Sequence, residues 1–171
     1  ELYGIGNNEK NRHGILEFYQ DGEIKIELGG MTGIGIGSGL GGDIRINKGK
    51  YVIQNNVDEG VGIGSINGED NITIHDCDMQ IEGAMYKGVL VGSVNNDTNI
   101  KIWRSLLNCN GTGKKIAMIG TVEGSKAVID LSDMSTNLSA RADVSTAVGS
   151  YYGSTVFKFD TAGIKYAGIG K

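Results

Sequence analysis

One short phrase returns seven times along this chain, and its spacing constrains the fold more than any other feature. The copies are Gly4-Ile5-Gly6-Asn7, Gly35-Ile36-Gly37-Ser38, Gly62-Ile63-Gly64-Ser65, Leu90-Val91-Gly92-Ser93, Met118-Ile119-Gly120-Thr121, Ala147-Val148-Gly149-Ser150 and Gly168-Ile169-Gly170-Lys171. The third residue is always glycine, and these glycines lie 31, 27, 28, 28, 29 and 21 residues apart. Near-constant self-similarity of this length marks a solenoid, in which each repeat buries its apolar face only against its neighbours. A β-sandwich has no reason to repeat one glycine at a fixed interval. The glycine is expected at a corner, where a positive φ favours a residue without Cβ.

Each interval holds two further strand-like pieces. The second reads Leu16-Glu17-Phe18, Ile44-Arg45-Ile46, Ile72-Thr73-Ile74, Ile100-Lys101-Ile102, Ile129-Asp130-Leu131 and Phe157-Lys158-Phe159. The third reads Ile24-Lys25-Ile26, Tyr51-Val52-Ile53, Met79-Gln80-Ile81, Leu107-Asn108-Cys109, Thr136-Asn137-Leu138 and Ile164-Lys165-Tyr166. Apolar residues flanking a polar one give the period of two expected of a strand buried on one face. The predicted fold is all-β: a right-handed parallel β-helix of about six turns, each of three short strands, with right-handedness following the usual sense of parallel crossovers. Two inward columns are expected in the first strands: Ile5, Ile36, Ile63, Val91, Ile119, Val148 and Ile169, and beside them Tyr3, Ile34, Val61, Val89, Ala117, Thr146 and Ala167. The seven-residue corner between third and first strands is expected to vanish in the last interval. No stretch sustains helical spacing.

Composition supports this reading. The chain has 29 glycines among 171 residues and no proline, which excludes collagen; 39% hydrophobic residues and a net charge of −4 argue against disorder. The acidic balance removes the electrostatic case for nucleic acid, and no apolar run approaches the length of a membrane-spanning helix. The pattern starts and stops mid-repeat without capping elements, so residues 1–171 are expected to form a single module of a longer repeat-containing protein.

Catalysis finds no clear home. The outward ladder of the second strand, Arg45, Thr73, Lys101, Asp130 and Lys158, mixes charge signs and offers no paired acid and base. His13 and His75 fall in separate turn-like segments and read as surface histidines. Cys77 and Cys109 are expected to be unpaired, because they occupy different positions in the repeat.

Three surfaces remain as candidates. Asp43, Asp70 and Asp97 follow the glycine phrase at an acidic corner, where stacked carboxylates can hold calcium; Asp and Asn also simply suit turns. The seven-residue corners carry Tyr86, Lys87, Lys114, Lys115 and Arg141, a basic stripe for recognition or a set of exposed ion pairs with Asp58, Glu59 and Asp143. Residues two before each corner glycine (Gly4, Gly35, Gly62, Leu90, Met118, Ala147 and Gly168) are expected to point outward as a flat strip. Exposed Leu90 and Met118 on that strip would favour contact with a polymer or with a neighbouring domain. Trp103, Tyr151 and Tyr152 do not line up as a sugar platform.

The succession of G-I-G-S, a polar corner, I-x-I and a third apolar strand resembles repeats in large surface proteins of gut Firmicutes and related bacteria, and in β-helical carbohydrate-binding domains of cellulolytic clostridia. The resemblance spans nearly the whole chain and rests on structural motifs. It implies a non-catalytic extracellular or cell-surface module of a bacterium, acting as adhesin, spacer or binder of a polysaccharide, with calcium as a companion. A fragment of a β-helical polysaccharide lyase or hydrolase is the alternative.

Overall fold

The structure, a computed structural model, describes residues 2–8 and 10–169. Those residues form thirteen strands and no helix: β1 (Leu2–Gly6), β2 (Gly14–Phe18), β3 (Glu23–Ser38), β4 (Gly41–Ile46), β5 (Gly49–Ser65), β6 (Glu69–His75), β7 (Cys77–Ser93), β8 (Thr98–Trp103), β9 (Leu106–Thr121), β10 (Lys126–Ser132), β11 (Ser135–Ser150), β12 (Ser154–Asp160) and β13 (Gly163–Ile169). Odd-numbered strands stack in order as one parallel sheet and even-numbered strands as another. The chain is a β-solenoid of about six turns.

The turns hold two strands rather than the expected three. The third piece, the seven residues after it and the next glycine phrase run on as one long strand: β5 carries both Tyr51-Val52-Ile53 and Gly62-Ile63-Gly64. Gln54 to Val57 pair with Glu82 to Met85 in unbroken register, so hydrogen bonding between turns continues where a loop was expected. Two bends remain in each long strand. Between β5 and β7 the ladder passes over Asp58 with Tyr86, and over Gly62 with Leu90.

The second of these bends divides the core. Ile36, Ile63, Val91 and Ile119 belong to the main core inside the coil, with Ile44, Ile46, Ile53, Ile72, Ile74 and Ile81. The neighbouring column faces the other way: Ile34, Val61, Val89 and Ala117 pack outside the coil, beneath Ile66, Val94 and Val122 from the corner that folds back over them. Two residues apart share a face only in a straight strand. Here the bend intervenes, and the residue at it, Gly62 or Leu90, turns inward as well.

The same bend corrects the expected surface strip. A Cβ on Gly62 would lie 2.7 Å from Ile81 Cγ2, so this position points into the coil. Leu90 and Met118 accordingly sit in the main core, fully buried, and offer no contact surface. Room for them comes from glycines seven residues earlier. A Cβ on Gly83 would lie 2.8 Å from Leu90 Cδ2, and one on Gly111 would lie 2.5 Å from Met118 Cε. Where the later position is Gly62, the earlier one is Asn55, whose amide donates to the carbonyls of Gly33 and Val61 at 3.0 and 2.9 Å. Large and small alternate across one interior site, which keeps every turn filled.

The corner glycines behave as expected: Gly6, Gly37, Gly64, Gly92, Gly120 and Gly149 have φ between 125° and 140°. Gly170 lies outside the described residues. The last phrase was misphased, however. Ile169 pairs with Arg141 and Ala167 with Ser139, so the 28-residue register holds through the last described residue and no corner has been deleted before it. Cys77 and Cys109 are buried free thiols, and Cys109 sits between Ile81 and Leu138 in its column.

Candidate functional site

The first bend of each long strand builds the most developed surface feature. Residues that the ladder passes over, Asp58, Tyr86, Lys114 and Asp143, occupy one repeat position on successive turns. A corner residue points its side chain away from the coil, and Tyr86 is 59% exposed. Lys114 Nζ donates to Tyr86 Oη at 2.8 Å and lies 4.9 Å from the ring centroid, so the ammonium sits at the hydroxyl end of the ring. The same hydrogen bond raises the Lys114 pKa. With Asn56, Ala84 and Thr112 these side chains line a shallow groove of about 540 Å³ that reaches across four turns.

Five side chains were grouped as a basic stripe, and the structure splits them. Tyr86 and Lys114 share the groove. Arg141 stands beside its rim, one turn beyond Thr112 in the Asn56–Ala84–Thr112 column. Lys87 and Lys115 turn to the other side of the bend. There Lys87 meets Glu59 at 2.8 Å, Asn95 Oδ1 at 2.9 Å and Glu123 at 3.3 Å, while Lys115 lies 3.7 Å from Glu123 and 5.2 Å from the Tyr152 ring centroid. Ion pairing is their role in this structure.

The three aspartates weighed as calcium ligands do not stack. Asp43 pairs in register with Asn71, whereas Asp70 pairs with Gly42 and Thr98, and Asp97 falls one residue earlier still. Asp43 accepts from Asn71 Nδ2 at 3.0 Å. Asp97 accepts from Ser125 Oγ and the Lys126 amide, both at 2.8 Å, and the Ser125 bond holds its pKa low. Among the described residues no cluster of three acidic, histidine or cysteine side chains is placed to hold a metal ion.

Asp70 is a different kind of group. It is almost wholly buried, and desolvation pushes its pKa up to about 8 against the opposing hydrogen bond from Ser65. Ser65 Oγ lies 2.5 Å from Asp70 Oδ2 and 2.6 Å from the Gly68 carbonyl oxygen. A hydroxyl has one proton for these two acceptors. A protonated Asp70 resolves the conflict: its O–H donates to Ser65 Oγ while Ser65 donates to Gly68. The serine or threonine of each glycine phrase plays a related part elsewhere, with Ser93 Oγ donating to Gly68 O at 2.8 Å and Ser150 Oγ to Gly124 O at 2.9 Å.

A second exposed cluster escaped the sequence reading. His75 and Trp103 are the last residues of the short strands β6 and β8 on adjacent turns and stack with ring centroids 4.4 Å apart and planes 19° off parallel. Lys101 Nζ lies 5.3 Å from the Trp103 ring centroid. Next along the chain, Arg104 donates twice to Asp76, at 2.8 and 2.7 Å, which pulls the Asp76 pKa down. Asp76, Arg104, Asp133 and Thr161 all adopt left-handed φ values of 47–56°, one corner conformation repeated on four turns. The available signal was the spacing: His75 and Trp103 are 28 residues apart and register partners.

Comparison with protein-family models, curated proteins and solved structures finds no match to the chain. Function rests on the surfaces themselves. The groove at the first bend combines one aromatic ring, an amide, a hydroxyl, one ammonium and two carboxylates on turns about 4.8 Å apart.

Proposed function

We propose that the chain is a non-catalytic β-solenoid module that binds an extended, hydroxyl-rich polysaccharide across its turns, as part of a bacterial surface or secreted protein. The observation that carries this reading is the exposed Tyr86 ring set in the groove among Asn56, Asp58, Thr112, Lys114 and Asp143. A sugar ring presents apolar C–H faces to an aromatic and a rim of hydroxyls to amides and carboxylates, and the groove offers both. Parallel turns repeat at a distance comparable with one pyranose unit, so successive rings of a polymer meet equivalent positions. The mixture of one cation with two anions favours a neutral polymer over a strongly charged one. The repeat resemblance supports the bacterial, extracellular setting.

Affinity electrophoresis in gels loaded with cellulose derivatives, pectin or mucin glycans tests the reading. Retardation by at least one polymer, lost on Tyr86→Ala and kept on Lys158→Ala, is the expected result. No retardation by any polymer overturns binding and leaves a spacer. Cleavage of a polymer overturns the non-catalytic part and favours the enzyme-fragment alternative.

A further inference from the structure

The outer face of the even-numbered strands carries two features that the groove at the first bend does not use. Asn71, Thr73 and His75 of β6 alternate with buried Ile72 and Ile74 and so point outward, beside their register partners Asn99, Lys101 and Trp103 of β8. Where these strands begin lies a hollow of about 190 Å³, lined by Arg12, Glu69, Asn71, Asp97, Asn99 and Lys126. The Arg12 guanidinium, the Glu69 carboxylate and the Lys126 ammonium make no hydrogen bond or ion pair among the described residues. Asp70 and Thr98 form part of the wall, and Asp70 Oδ1 and Thr98 Oγ1 are buried without a hydrogen-bond partner among the described residues.

Trp103 stands on the same strand and the same face as Asn99, about 14 Å along it at about 3.4 Å per residue. His75 covers one face of the indole. On the other side the next register position is Ser132, whose side chain is too small to continue the ring stack, and Asp160 follows it. Between the hollow and the indole, Lys101 and Asp130 are register partners that form no ion pair. Lys101 Nζ stays 5.3 Å from the Trp103 ring centroid, and the Asp130 carboxylate has no partner among the described residues.

We propose that this face binds a short, neutral oligosaccharide lying along β8, its terminal ring in the hollow and a later ring on Trp103. Two cations and two carboxylates around the hollow attract and repel a charged ligand in equal part. A sugar hydroxyl both donates and accepts, so it satisfies carboxylate, ammonium and amide neighbours alike. The hollow has room for a single pyranose ring and therefore takes a chain end. The uncovered indole face suits the apolar C–H face of another ring, with Lys101 and Asp130 in reach of its hydroxyls. This site extends the carbohydrate reading above and shares no residue with the groove, which lies on the odd-numbered strands. The two sites can hold different chains, and either reading can fail alone.

Trp103 is the only tryptophan, so its emission reports occupancy directly. Fluorescence titration with cellotetraose, mannotetraose and chitotetraose is expected to give a saturable change with at least one of them, and the matching monosaccharide to bind about tenfold or more weakly. Ser132→Phe extends the ring stack over the open indole face, and Asn99→Ala removes an amide from the hollow. Both positions point outward and leave the coil interior intact, and each change is expected to weaken binding about tenfold or more. Tyr86→Ala leaves the fluorescence response in place while losing retardation in polymer gels, where chain ends are scarce. Emission unmoved by all three tetrasaccharides overturns the inference, even where the gels retard the protein. So does a response that either outward substitution leaves unaltered, one that Tyr86→Ala abolishes, or a monosaccharide that binds as tightly as its tetramer.

Discussion

The column of corner glycines makes Gly92→Ala the most informative single substitution. Gly92 has φ 137°, a region nearly closed to residues with a Cβ, and forcing alanine into it costs about 1–3 kcal/mol. The built Cβ also falls well inside 3.0 Å of the Gly120 carbonyl oxygen on the next turn. Relief requires the turns to part by roughly 1.5 Å against a ladder spacing of about 4.8 Å, which breaks about two inter-turn hydrogen bonds worth about 1 kcal/mol each. The sum is about 3–5 kcal/mol, at the top of the range for one substitution. Gly29→Ala is the control: its φ is not in the restricted region, and its Cβ meets only Asn56 O, at 3.7 Å. That change is expected to be neutral or stabilising by about 0.4–1 kcal/mol through the unfolded chain. Urea unfolding followed by circular dichroism at 218 nm reads both. A Gly92→Ala protein within about 1 kcal/mol of the parent, at an unchanged denaturant slope, would refute the steric argument.

Asp70 titrates with a folded pKa of about 8 against an unfolded value near 3.9. Its contribution is therefore fully present below pH 4 and is lost as pH rises toward 8, with a slope of about 1.4 kcal/mol per pH unit between those limits. Asp70→Asn keeps a donor for Ser65 and is expected to flatten this part of a stability–pH profile measured by urea unfolding; an unchanged slope counts against a neutral Asp70. Leu90→Ala leaves a cavity beside Gly83 and is expected to destabilise by about 2–5 kcal/mol in the same assay, whereas a side chain on an exposed strip would cost almost nothing. Burial pushes the Cys77 thiol up to about 12 and the Cys109 thiol higher still, so both are expected to resist iodoacetamide in the folded protein and react in urea. Mass spectrometry counts the alkylated thiols, and a Cys77–Cys109 disulfide would contradict the register.

Much of the fold was legible because β-branched and other apolar residues alternate cleanly in the straight segments. Ile44, Ile72, Ile100 and Ile129 are register partners, as are Ile26, Ile53, Ile81, Cys109 and Leu138. Alternation fails at a bend, since it reports the facing of a side chain only relative to its immediate neighbours. That is why the Ile34–Val61–Val89 column was placed inside, and why Leu90 and Met118 were placed outside. A signal did exist: the pairs Gly83 with Leu90 and Gly111 with Met118, each seven residues apart, trade size within one cross-section. The final Gly168-Ile169-Gly170 misled because three residues are too short to set a phase against a ladder that continues unbroken. At the candidate groove, Tyr86 and Lys114 were picked out by type and share a column. Lys87 and Lys115 share the next column but turn the opposite way around the bend, which composition alone does not encode.

The turn-on-turn ladder also makes the molecule mechanically anisotropic. Its inter-turn hydrogen bonds run along the rod axis, so tension applied between the two ends loads one turn at a time and peels it away, much as a zipper opens. Each turn of 28 residues frees about 90 Å of chain when drawn out at about 3.4 Å per residue, less the single ladder step it occupied. Force directed along the strands instead meets the whole length of each 16- or 17-residue pairing at once and must shear it. Under axial load the protein lengthens in regular steps at low force, while across its width it resists as a unit.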